Sequence, residues 1–193
     1  MKTLNICIDI DGTITDPYFL IDPCNKFFNK NITRDDVTQF NMEKVLNISK
    51  KDFMDFYDQF KFEIHWEQEI IPDAKKVIDN LSKNHNIYFV TARDKSLTLL
   101  TRSYLDYHNF KYDELYVLGS HYKVPKANQL DCDLFIEDSY SNAIELSEAG
   151  FKVLLIDTNY NRLPINHNII RVHNWNEINE VINKLLLQAS NAM

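Results

Sequence analysis

Leu4-Asn5-Ile6-Cys7-Ile8-Asp9-Ile10-Asp11-Gly12-Thr13 decides the reading of this chain. An uncharged, mostly apolar run reads as a buried strand, and two aspartates stand at its end with Ile10 between them and Gly12 behind. A short apolar run bounded by polar residues suits a parallel sheet covered on both faces. Glycine belongs where the backbone must turn sharply or come close to a ligand. Four further runs of the same kind follow at Asn86-Ile87-Tyr88-Phe89-Val90, Glu114-Leu115-Tyr116-Val117-Leu118, Asp133-Leu134-Phe135-Ile136 and Lys152-Val153-Leu154-Leu155-Ile156.

Amphipathic segments lie between these runs. Pro72 suits the first turn of a helix whose apolar stripe is Val77, Ile78 and Leu81. Leu97, Leu100, Tyr104 and Leu105 repeat that spacing, and the segment from Ser139 to Ala149 stops at Gly150, a natural left-handed cap. Asn174 with Glu177 forms a capping-box pattern ahead of Ile178, Val181, Ile182 and Leu185. This alternation predicts an α/β fold with a doubly wound, Rossmann-like parallel sheet. Residues 17–70 break the rhythm: they contain no strand-like run and are dense in Phe, Tyr and Trp. They read as a small helical cap inserted after the first strand, which leaves 1–16 and 71–193 as the core. Most of the cap aromatics are expected to fill its own small interior.

Composition narrows the partners. A net charge of −7 over 193 residues lacks the basic stripe that a nucleic-acid polymer requires. One small anion is still compatible, because a metal ion and a positioned lysine reverse the local field. Glycines number only three, Gly12, Gly119 and Gly150, which rules out dinucleotide-binding and Walker loops. Cys7, Cys24 and Cys132 are far apart and unpaired in pattern, so reduced core thiols are expected rather than a disulfide or zinc site. The N-terminal MKTLNICIDID shows no signal-peptide pattern and no run is long enough to span a membrane, so a cytoplasmic chain is expected.

Ligands of open α/β sheets bind beyond the carboxyl ends of the strands. The first four runs place Asp9 and Asp11, then Thr91-Ala92-Arg93-Asp94, then Gly119-Ser120-His121-Tyr122-Lys123, then Glu137-Asp138 at those ends. Asp9, Asp11 and Asp138 gathered without a cation would repel one another. Hard oxygen donors of this kind suit Mg²⁺, which also ligates a substrate phosphate. An aspartate can then attack phosphorus, a second acid can protonate the leaving oxygen, and a hydroxyl and a lysine can hold the transferring oxygens.

The stretch DIDGTIT resembles the first motif of the haloacid dehalogenase superfamily, in which a hydrophobic strand runs into D-x-D-G-[TV]. Thr91, Lys123 and Glu137-Asp138 are similar to the second, third and fourth motifs, in order, over the whole Rossmann-like core. The resemblance implies a Mg²⁺-dependent phosphatase with Asp9 as nucleophile and Asp11 as general acid/base. It implies metal ligation by Asp9, the Asp11 backbone carbonyl and Asp138, phosphate binding by Thr91, Ala92 and Lys123, and an outer orienting role for Glu137. Lys126 would replace Lys123 if the helix began later; Lys123 is favoured because it directly follows the third strand's loop. Asp16, the aromatic insert, Glu69-Ile70-Ile71-Pro72 and Asp133–Asp138 further resemble the 5′(3′)-deoxyribonucleotidase family, implying a nucleoside monophosphate substrate. The chain departs from that pattern in having Ala92 for a second hydroxyl, Glu137 for Asp, and Asp73 for Gly.

Alternatives remain at this level. A sugar phosphate or phosphoglycolate would use the same machinery. A receiver domain also phosphorylates an Asp, but its acceptor ends the third strand, where this chain has Gly119-Ser120. A catalytically dead relative would have lost Asp9 or Asp11. Arg93 could sense substrate or pair with a neighbouring acid such as Asp94. The six histidines show no ligand spacing, with His121 the one placed near the site; Asp157 reads as a turn residue.

Overall fold

The computed structural model describes residues 3–191; Met1, Lys2, Ala192 and Met193, the outermost residues of the two core segments, lie outside it. Six strands, β1 (Asn5–Ile8), β2 (Asn86–Thr91), β3 (Glu114–Val117), β4 (Leu134–Glu137), β5 (Lys152–Ile156) and β6 (Ile169–Val172), form one sheet in the order β3-β2-β1-β4-β5-β6. Every neighbouring pair is parallel. The order reverses beside β1, so its carboxyl end is the switch point at which such sheets bind ligands.

Strand periodicity sorts the core into two layers. Ile6 and Ile8 face one side with Ile87, Phe89 and Ile136, while Cys7 faces the other with Val90, Phe135 and Val153. Helix α4 (Ala74–Leu81) lays Ala74, Val77, Ile78 and Leu81 on the first side, beside Trp175, Ile178 and Ile182 of α8 (Trp175–Asn191). Helix α7 (Tyr140–Glu148) lays Ala143 and Leu146 on the second, and Gly150 follows it at φ 96°. The three cysteines are free and buried, as their spacing implied.

Three details differ from the sequence reading. β6, whose run is interrupted by Arg171, was not among the five expected strands. α4 begins after Pro72, because Asp73 takes the N-cap at φ 63° and anchors to Asn176 Nδ2 at 2.8 Å. That left-handed backbone is one that glycine adopts without strain, which accounts for the glycine in the pattern from which Asp73 departs. At the start of α8, Asn174 accepts from the Glu177 N–H at 2.9 Å, but Glu177 reaches back to the N–H of His173 at 2.7 Å rather than to Asn174 itself.

Between β1 and α4 lie α1 (Ile21–Phe28), α2 (Met42–Val45) and α3 (Lys50–Trp66). They pack on an apolar cluster of their own, with Cys24, Leu46, Phe56 and Ile64 buried and Phe19, Phe28, Phe53 and Phe60 against them. The chain leaves and returns by a short antiparallel link, with Asp16 N–H to Glu69 O at 2.9 Å and Ile71 N–H to Ile14 O at 2.9 Å around the Thr15–Ile70 bridge. Among the described residues no helix is long and apolar enough to cross a membrane.

Candidate active site

The loop after β1 is held from beneath. The carbonyl of Ile10 accepts the N–H groups of Thr13, Ile14 and Thr15 at 3.2, 2.9 and 3.2 Å, and Trp175 Nε1 donates to the carbonyl of Thr13 at 3.0 Å. Ile10 and Ile14 are fully buried in the first core layer, each burial stabilising by about 1.5–3 kcal/mol. Asp9 and Asp11, on the alternate positions, are left facing the crevice, and the Asp9 N–H stays tied to Ile136 O on β4 at 3.0 Å. Gly12, at φ 77°, lets the backbone pass so close to Asp138 that a Cβ would collide with its carboxylate and lie 2.9 Å from the Tyr160 hydroxyl.

Lys123 caps α6 (Val124–Gln129) and is 1% exposed. Its ammonium donates to Asp9 Oδ1 at 2.5 Å and Glu137 Oε1 at 2.6 Å. Lys126, by contrast, points outward, bonded to Gln129 Oε1 at 2.6 Å and lying 3.9 Å from the Tyr116 ring centre. The fully buried Glu137 also accepts from Asn142 Nδ2 at 2.8 Å and from the N–H groups of Asp138 and Ser139 at 2.9 and 3.0 Å. Asp138 accepts from the Tyr160 hydroxyl, and its own carbonyl accepts from Asn161 Nδ2 at 2.7 Å. Thr91, at the end of β2, is buried and accepts from the N–H of Arg93 at 3.2 Å, with Ala92 beside it on the crevice wall.

Ligand oxygens of Asp9, Glu137 and Asp138 lie within 4.8 Å of one another. Lys123 is the ammonium among them, so with all three ionised two negative charges stay uncompensated. Burial, outweighing the pull of Lys123, pushes Asp9 up to about 7. Burial, together with the charges of Glu137 and Asp9, holds Asp138 well above the usual carboxylate range. Burial opposes ionisation of Glu137 too, but Lys123 and the bonds from Asn142 and Ser139 hold it below its ordinary value. Glu137 thus spends its acceptor positions on protein donors, whereas Asp9 and Asp138 each keep one carboxylate oxygen without a hydrogen bond among the described residues. A hard divalent cation fits this set: it supplies the missing charge, and oxygen donors are what such ions prefer.

Asp11, whose charge also helps raise Asp9, is itself shifted the other way. Burial would raise its carboxyl, but Arg93 and His65 hold it well below the usual range. Arg93 therefore pairs with Asp11, at 2.8 Å, and not with Asp94, whose carboxylate instead accepts from the N–H of Ser96 at 2.8 Å. Sequence reasoning passed over Gln68, His65 and Tyr160. For Tyr160 a signal existed, since the loop after β5 opens at the same edge of the sheet; nothing local marks Gln68 or His65.

Asp9, Asp11, Thr91, Ala92, Lys123 and Asp138 border one cavity of about 420 Å³ together with His65, Arg93 and Tyr160, whereas Glu137, Lys126 and Gln68 do not line it. Its far wall comes from the helical insert, with Tyr18, Phe19, Phe40, Phe53 and Tyr57 along it. Phe40 contacts both His121 and Tyr160 edge-on, each at 5.9 Å between ring centres, so an insert residue meets two core loops at the mouth.

Comparison with known proteins agrees with this geometry. Residues 2–190 match the family described as 5′ nucleotidase, deoxy (pyrimidine), cytosolic type C protein. A nucleotidase of Clostridium acetobutylicum is 56% identical over 185 residues, covering 96% of each chain. A Bacillus subtilis protein with a provisional nucleotidase name is 39% identical over 175 residues, or 90% of this chain and 91% of its own. A haloacid dehalogenase-like family hydrolase from Streptococcus pneumoniae shares the fold, with TM-score 0.67 at 16% identity over 93% of this chain and 98% of that one. The chain belongs to the 5′ nucleotidase, deoxy (pyrimidine), cytosolic type C family, and it is a phosphatase built on the haloacid dehalogenase fold.

Proposed function

We propose that this enzyme hydrolyses nucleoside monophosphates, deoxynucleotides among them, by phosphoryl transfer to Asp9 with Mg²⁺ as cofactor. The observation that carries the reading is the shared cavity: an acid cluster with a buried lysine at its base, and aromatic rings on the wall opposite. A phosphate held at the base leaves the rest of the ester against those rings, where base stacking contributes about 1–3 kcal/mol. Residues 17–70 then act as the cap over the core segments 1–16 and 71–193.

Asp9 and Asp138, with the backbone carbonyl of Asp11, would hold the ion, which when bound offsets the charge of both the carboxylates and the phosphate. Thr91, Ala92 and Lys123 bind the transferring phosphoryl oxygens, and Glu137 keeps Lys123 aimed at Asp9. A carboxylate oxygen of Asp9 attacks phosphorus and the bond from phosphorus to the sugar oxygen breaks. Asp11, ionised in its pairing with Arg93, takes up a proton as the phosphate's negative charge enters beside it and gives that proton to the sugar oxygen. Water then attacks the aspartyl-phosphate, Asp11 takes the water's proton, and Asp9 is regenerated with release of phosphate.

The test is phosphate release from a panel of ribo- and deoxynucleoside monophosphates, sugar phosphates and phosphoglycolate, with Mg²⁺ and with EDTA. Release that needs Mg²⁺ and is led by one or more deoxynucleotides is expected. Release from sugar phosphates or phosphoglycolate alone would overturn the substrate class, and release that survives EDTA would overturn the cofactor.

Gly12 offers an independent check on the cation site. Gly12→Ala forces a side chain into left-handed backbone and against the Asp138 carboxylate. A loss of roughly 1–2 kcal/mol in stability is expected from the backbone alone, and Mg²⁺ affinity by calorimetry is expected to fall about tenfold or more. Unchanged affinity would place the cation elsewhere.

A further inference from the structure

Arg93 follows the Thr91-Ala92 pair beyond β2, and its side chain is 1% exposed. It donates Nε–H to Asp11 Oδ2 at 2.9 Å and Nη2–H to Asp11 Oδ1 at 2.8 Å, a two-pronged fork across one carboxylate. The same guanidinium donates to Gln68 Oε1 at 2.7 Å and to Thr101 Oγ1, on α5 (Thr98–Tyr107), at 3.2 Å. Gln68 closes the ring by donating Nε2–H to Asp11 Oδ1 at 2.7 Å, and the Tyr104 hydroxyl fixes the Gln68 backbone by donating to its carbonyl at 2.6 Å. His65 Nδ1 stands 3.2 Å from Asp11 Oδ1, with Tyr57 OH 2.7 Å from its Nε2.

The two oxygens of Asp11 are not equivalent in this frame. A carboxylate oxygen offers about two acceptor positions. Oδ1 is filled by Arg93 and Gln68, with His65 close by; Oδ2 accepts from Arg93 Nε alone among the described residues. Oδ2 therefore keeps an open position, on a carboxylate that cannot rotate without breaking the fork.

We propose that Arg93, seconded by Gln68, is the positioning residue for Asp11: the pair anchors Oδ1 and presents Oδ2 to the leaving oxygen of the substrate. The inference rests on the acid/base role proposed above for Asp11. Arg93 itself transfers nothing. The proton that leaves Asp11 in the first half-reaction goes to the sugar oxygen as the phosphorus–oxygen bond breaks, and the proton it regains comes from the attacking water. Two parallel bonds set both the position and the plane of the carboxylate, which the single charge of a lysine does not.

The test separates positioning from general structural support through the leaving group. A deoxynucleoside 5′-monophosphate expels an alkoxide that needs a proton, whereas p-nitrophenyl phosphate expels a phenolate that departs without one. Formation of the phosphoenzyme is followed by rapid quench for both esters, with Asp11→Asn as reference. Arg93→Lys keeps the charge and loses the fork; Gln68→Met keeps the bulk and loses the donor to Oδ1. Arg93→Lys is expected to slow phosphorylation by the nucleotide about 10²-fold, with KM held and the rate with p-nitrophenyl phosphate nearly unchanged. Gln68→Met is expected to show the same selectivity with a smaller loss, and it decides alone if Arg93→Lys does not fold. If Asp11→Asn is selective but the two variants slow both esters equally, the positioning role is overturned and the role of Asp11 stands. If Asp11→Asn itself slows both esters equally, the acid role falls and the positioning role falls with it.

Discussion

Asp9→Asn is expected to abolish turnover while leaving the protein folded. The change is nearly isosteric, and the backbone at Asp9 keeps its bond to Ile136 O at 3.0 Å. Lys123 loses one charged partner but retains Glu137 at 2.6 Å. Removing a carboxylate from a cluster that carries surplus negative charge offsets part of that loss, so thermal unfolding is expected to shift little. The chemistry has no such compensation, because a neutral amide does not open a phosphate ester. Loss of a covalent nucleophile lowers turnover on the order of 10⁴- to 10⁶-fold. Phosphate release and a melting curve on the same preparation read both halves of the prediction. A folded variant with readily measured turnover would remove the covalent route.

Lys123→Met is the second large effect, and it is read first in stability. The substitution leaves Asp9, Glu137 and Asp138 buried together without an ammonium among them. Breaking a buried ion pair from one side destabilises by about 3–5 kcal/mol, a sizeable part of the roughly 5–15 kcal/mol that holds a folded domain together. For a chain of this size each kcal/mol moves the melting temperature by about 2–4 °C. Added Mg²⁺ is expected to raise the melting temperature of the variant more than that of the parent, since it replaces charge the variant lacks. Lys126→Met serves as the control. Its ammonium meets Gln129 and the Tyr116 ring near the surface, so a change within about 1 kcal/mol is expected. Comparable losses from the two variants would contradict the assignment of the buried position to Lys123.

The sheet was legible because each of its first five strands is a short apolar run ending at a polar residue, and burial on both faces demands that pattern. Ile169–Val172 escaped because Arg171 interrupts a four-residue edge strand; its guanidinium folds back onto Asp157 and Asn161, at 3.0 and 2.6 Å. Asp9, Thr91, Lys123 and Asp138 could be gathered from the sequence because strand ends converge in a parallel sheet whatever the loops do. The partner of Arg93 could not. Asp94 is adjacent in sequence, yet its carboxylate turns to the start of the next helical turn, and the guanidinium crosses instead to Asp11 on a different strand end. The same holds for Gln68 and His65, which reach Asp11 only because the helical insert folds back across the crevice. Local pattern shows which residues end a strand; it carries no information about which side chain of an inserted element returns to meet them.

The most direct test of the account is to trap the phosphoenzyme. The protein is mixed with substrate and Mg²⁺, quenched in acid and reduced with borohydride, which converts an acyl phosphate to an alcohol and leaves homoserine at the attacked position. Peptide mass spectrometry then locates it. Homoserine is expected at Asp9, present with substrate and Mg²⁺ and missing when either is withheld. Homoserine at another acid, or an unmodified Asp9 in enzyme quenched during rapid turnover, would contradict it.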